Sequence, residues 1–240
     1  ALSQTYLQNA FYNVRFSTGN DHGVHGSCPS KLLHAFLLGT FKYIRDIFFE
    51  HVEKTSEKAK VMNALSEVYG RHFTHQSDRT MPSTAFSKGI QAGKLMAKDY
   101  RGVLLIMLAM LRSTIGRETL QQGRNKFNKV AMDDWILLLE LMLEWESYLN
   151  EPRMAVKHVK HLEKKHRYIM YVIRKVAQRT EGMGLKLLKF HTILHIWEDI
   201  LQFGVPLEYD TSANESMHKP SKKASKMTQR AAETFNYQTA

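Results

Sequence analysis

Apolar residues return at three- and four-residue intervals through most of this chain, a period that helices satisfy and strands do not. After Pro29-Ser30, with Ser30 a capping residue, Leu33, Leu37, Phe41, Ile44 and Phe48 form one stripe, and Lys42, Arg45 and Asp46 fall on its wet side. Val61, Leu65 and Val68 mark a helix over 56–70, and Ser83 caps one over 85–96 whose Gly89 and Gly93 permit close approach of a neighbour. The stretch 99–115 is nearly all apolar in its middle, which predicts a helix central in the core. Over 131–149, Trp135, Leu138, Leu139, Met142 and Trp145 make a packed face, while Glu140, Glu144 and Glu146 lie along or beside the other. Asn150-Glu151-Pro152 then breaks the chain, and a second long helix over 153–179 predicts an antiparallel hairpin. Leu187, Leu188, Phe190, Leu194, Trp197 and Leu201 set the last helix, ended by Gly204 and Pro206 and followed by an extended piece, Val205 to Tyr209.

The pattern predicts a predominantly α body. A short strand is allowed only near Tyr12, Val14 and Phe16, ahead of a glycine-rich loop. The chain divides into an N-terminal segment, 1–55, a helical domain, 56–184, a His/Glu segment, 185–223, and a polar tail, 224–240. No apolar run reaches the roughly 20 residues a membrane span needs, so no membrane association is expected. The single cysteine, Cys28, excludes an internal disulfide and suggests a reducing, intracellular setting.

The formal charge is +11, and it is concentrated. The helix over 153–179 carries Lys157, Lys160, Lys164, Lys165, Arg167, Arg174, Lys175 and Arg179 opposite Val159, Leu162, Ile169, Ile173 and Val176. A cationic ridge of this kind fits the phosphates of DNA. It fits equally an acidic protein partner, or simple solvation with pairing to acids on the preceding helix. His158, His161 and His166 interleave with the lysines and would add charge below pH ~6.5. Self-association is compatible with either reading.

Two other groupings carry chemistry. His191 and His195 are one helical turn apart, a zinc-ligand spacing that Glu198 or His218 would complete. The metalloprotease pattern is absent, since the residue after His191 is Thr192. Glu140 and Glu144 share a face but lack the histidine partner of di-metal bundles, so an exposed face is expected.

Two segments resemble the CACTA-like DDE transposases. The first is CPSKLLHAFLLGTFKYIRD, with His34, an apolar run, a glycine and a lysine, and the second runs from His195 through Phe203-Gly204 to Glu215-Ser216-Met217-His218-Lys219. The resemblance implies an RNase H-like α/β domain split by a helical insertion, with small remnants of that domain at both ends of this chain. It implies that Glu215 is the third acid of the triad, with His218 near the scissile phosphate. Lys219, Lys222, Lys223 and Lys226 would then clamp the strand. Such enzymes are metal-dependent strand-transferases that hold two Mg²⁺ ions about 4 Å apart on carboxylates. The family pattern implies an acid at the position of Lys31, and a cation does not ligate a divalent metal. The first acid would lie upstream. The chain is therefore expected to be a nuclear, transposon-derived DNA-binding fragment without catalysis of its own.

Overall fold

The computed structural model describes residues 33–53, 59–60, 62–64, 66–67, 97–121, 129–178 and 182–209. A π-helical segment, Leu33–Phe41, continues into α1, Lys42–Glu53. After them come α2, Ala97–Arg112, α3, Thr114–Gln121, α4, Lys129–Leu149, α5, Val156–Val176, α6, Leu188–Phe203, and a 3-10 turn, Pro206–Tyr209. No strand occurs among the described residues, in keeping with the expected helical body. Of the two ends where α/β remnants are expected, residues 1–32 and 210–240 lie outside them, as does most of 54–96.

The π geometry follows from where the aromatics fall. In a π-helix, residues five apart stand on one face, and Phe36 and Phe41 are both fully buried. The Thr40 hydroxyl donates to Ala35 O, five residues back, at 3.1 Å. The stripe expected from a 3.6-residue period omits Phe36, and it leaves Arg45 on the wet side. Arg45 is in fact buried. Its Nε donates to Asp46 Oδ1 at 2.9 Å, and its guanidinium lies 5.2 Å from the Tyr100 ring centroid.

The helix expected over 99–115 is broken at Ser113. Its hydroxyl donates to Met110 O at 2.9 Å and accepts from the Gly116 amide at 3.0 Å, so it serves both helix ends. A Cβ at Gly116 would stand 2.1 Å from Met110 O, and only glycine permits this tight corner.

The α4–α5 hairpin forms as expected. Its antiparallel register is visible in the ion pairs. Lys165 reaches Glu144; ten residues further on, Lys175 Nζ reaches Asp134 Oδ1, ten residues further back, at 2.9 Å. Asn150 closes the turn through Nδ2, which donates to Glu146 O at 2.7 Å and Oε1 at 2.9 Å.

The packing closes a ring. α2 lies against α4, α4 against α5, α5 against α6, α6 against the π segment, and the π segment against α2. The interior is aromatic and aliphatic: Phe36 meets Trp145 edge-on at 4.7 Å, Phe48 meets Trp135 at 5.2 Å, and Tyr43 meets Phe190 at 5.7 Å. The last helix departs from expectation at its end. Leu201 is 46% exposed, although Ile200 beside it is buried. The expected extended piece over 205–209 is instead the 3-10 turn, which suits the fixed φ of Pro206 at its first position. Gly204, with φ 91°, makes the reversal that precedes it.

Candidate functional site

α5 has two unlike faces. Val159, Leu162, Ile169, Val172 and Ile173 are buried and pack toward α4 and α6. On the opposite side, Lys157, Lys160 and Lys164 are exposed and have no ion-pair partner among the described residues. At helical geometry these positions lie within one narrow sector, and the sector continues through Tyr168 and Tyr171. The two tyrosines are 47% and 64% exposed, and their rings stack at 6.5 Å with 22° between planes.

Of the remaining cations of this helix, Arg174 is exposed and likewise has no ion-pair partner among the described residues, while three others are engaged. Arg167 pairs with Glu163 at 2.8 Å, one turn back. Lys175 is held by Asp134, and that hydrogen bond followed by the carboxylate charge raises its pKa. Lys165, expected on the outer face, turns inward instead. Its side chain is only 12% exposed, pairs with Glu144 and lies 4.8 Å from the Tyr148 ring centroid. Burial pulls its pKa down, and the Glu144 carboxylate works against that pull. Arg179 lies outside the described residues.

His166, expected among the outer cations, is likewise inside. It is fully buried with its ring 5.2 Å from Trp145, and neither ring nitrogen has a hydrogen-bond partner among the described residues. Desolvation, then the charge of Lys165, lowers its pKa to about 4, so it adds no charge to the ridge near neutral pH. Glu146, placed with the outer acids, is also buried. Desolvation raises its pKa, and Arg101 at 3.4 Å and Asn150 oppose that rise. Glu140 and Glu144 behave as an ordinary surface pair, facing Arg112 and Lys165.

His191 and His195 share a face of α6 with ring centroids 4.7 Å apart, and His195 Nδ1 is 3.0 Å from Glu198 Oε2. Among the described residues no three His, Cys, Asp or Glu side chains gather closely enough to hold a metal ion. His191 and Lys186 also edge a cavity of about 500 Å³ between α5 and α6, walled by Met170, Leu187, Phe190 and Leu194. Glu215, His218, Lys219, Lys222, Lys223, Lys226 and Lys31 lie outside the described residues, and of His34 only the backbone is described. The separation between Glu215 and the turn at Ser30 to His34 therefore lies outside them as well.

The tyrosine pair is the feature that charge-based reading misses. Its signal is present in the sequence: two aromatics three residues apart, out of phase with the apolar stripe of their own helix. No family profile matches the chain, and neither a curated protein nor a solved structure matches it significantly.

Proposed function

We propose that this chain is a DNA-binding fragment of a transposon-encoded DDE transposase, with its helical ring as the insertion and α5 as the phosphate-contacting ridge. The observation that carries the reading is the row of Lys157, Lys160 and Lys164, exposed and without an ion-pair partner among the described residues. Phosphates supply what these three lack, and phosphate contact is the dominant, sequence-independent source of DNA affinity. A second observation supports the transposase part. The π segment, which belongs to the first family-like motif, packs on α6, which opens the second, with all other described helices looping out between them. Lys189 Nζ donates to Leu38 O at 3.3 Å across 151 residues of sequence.

In this reading Glu215 would supply one carboxylate to Mg²⁺, and Lys31 none. The chain alone performs no strand transfer; Glu215-dependent transfer with Mg²⁺ in the isolated chain would overturn that part.

The binding test is a salt titration. Affinity for duplex DNA should fall with salt, with a log–log slope of about −3 or steeper. Replacing Lys157, Lys160 and Lys164 together by Gln should flatten it by about 2 to 3, roughly one per lysine. A flat wild-type response removes the reading. An acidic protein partner is the second reading, favoured by the way Lys165 and Lys175 already engage carboxylates on α4. Binding to polyglutamate but not to DNA at equal salt would support it.

A further inference from the structure

We propose that Tyr168 and Tyr171 form a stacking platform for unpaired bases, so that the outer ridge of α5 binds single-stranded nucleic acid. This rests on the DNA-binding reading above and narrows its substrate. A tyrosine gains most from burial, and both of these are left in water while the opposite face of the same helix is filled with aliphatic side chains. They are also ordered against each other, with near-parallel planes only 22° apart.

The placement of charge completes the argument. Lys164 precedes Tyr168 by one turn, with Lys160 and Lys157 one and two turns earlier on the same sector. From Lys157 to Tyr171 the ridge is about 21 Å long at 1.5 Å per residue. A strand running along it meets cations at its backbone first and ring faces at its bases next. Aromatic faces beside a basic track are how single strands are bound without regard to sequence. In a duplex, both faces of each base are covered by neighbours, so the rings would have nothing to stack on. An acidic polypeptide would satisfy the lysines and leave the rings unused.

The test measures the affinity of the full chain for an oligothymidylate of about ten nucleotides and for a duplex, by fluorescence anisotropy at fixed salt. Tyr168→Ala with Tyr171→Ala should weaken the single-strand complex by about tenfold or more and shift duplex affinity less than about twofold. The corresponding double Phe variant keeps the ring faces and should stay close to wild type on both. A 2-aminopurine base in the oligonucleotide should lose emission on binding to wild type and to the Phe variant, but not to the Ala variant. Circular dichroism checks that each variant keeps its helices, and Tyr171→Ala alone serves if the double variant does not. The proposal is overturned if the Ala variant binds the single strand as wild type does, if it weakens both substrates equally, or if Phe falls as far as Ala. Those results leave lysine-dependent duplex binding standing. Absence of binding to either nucleic acid overturns both readings.

Discussion

His166 and the pair His191–His195 lie on adjacent helices, two turns or less from an acid or a cation, and look interchangeable as letters. The structure gives them opposite surroundings. His166 is closed in by Trp145 and the aliphatic face of α5, with no partner for either nitrogen among the described residues. His195 stands half in water and shares its Nδ1 with Glu198. One is held neutral by the cost of desolvating its charge; the other already has a carboxylate beside it. The difference is set by the neighbouring helix, since both ride on amphipathic helices.

The sharpest way to break the comparison is to empty the wall around His166. Trp145→Ala removes the largest fully buried side chain and should cost about 3–5 kcal/mol in denaturant unfolding. A loss under 1 kcal/mol would mean that this part of the core is not packed as described.

Acid provides the next test. The folded pKa of His166, about 4, lies below the unfolded value of 6.5. The unfolded chain therefore takes up the proton first as pH falls. The contribution to stability is complete above pH 6.5 and drains away between 6.5 and about 4, by about 3 kcal/mol in all. His166→Leu should be neutral or better at pH 7, because it removes two unpartnered nitrogens, and should flatten that acid limb relative to wild type. Parallel limbs for the two proteins would place the ring in water. Glu198→Ala is the smallest expected effect. The ion pair with His195 is solvent-exposed, so unfolding free energy should move by less than about 1 kcal/mol at any pH.

Much of the architecture is legible from period alone. The hairpin at Asn150-Glu151-Pro152, the core position of α2 and the packed face of α4 follow from where apolar residues recur. What period cannot supply is the identity of the neighbour. Lys165 and Arg45 read as surface cations, yet each lies beside an aromatic ring of another helix or of the hairpin's other arm, and Lys165 meets a carboxylate there too. Glu146 reads as a surface acid, and burial with Asn150 and Arg101 beside it is a property of the turn and of α2. Phe36 is missed because the helix around it is wound more widely than the one assumed. At the ridge, the three outer lysines are readable as cations, but their lack of partners is not. The tyrosines are readable as misplaced aromatics once the core face is fixed.

The closure of the ring has a consequence for how the molecule is made. The π segment near one end of the described chain finds its place only when α6 arrives, some 150 residues later. At a synthesis rate of roughly 5–20 residues per second, the wait is on the order of ten to thirty seconds. Until then the Leu38 turn and the neighbouring Tyr43 ring have no α6 to lean on. A nascent chain stalled before Phe190 would show that greasy seam to the chaperones that patrol the ribosome exit, and release should follow once the last helix swings shut.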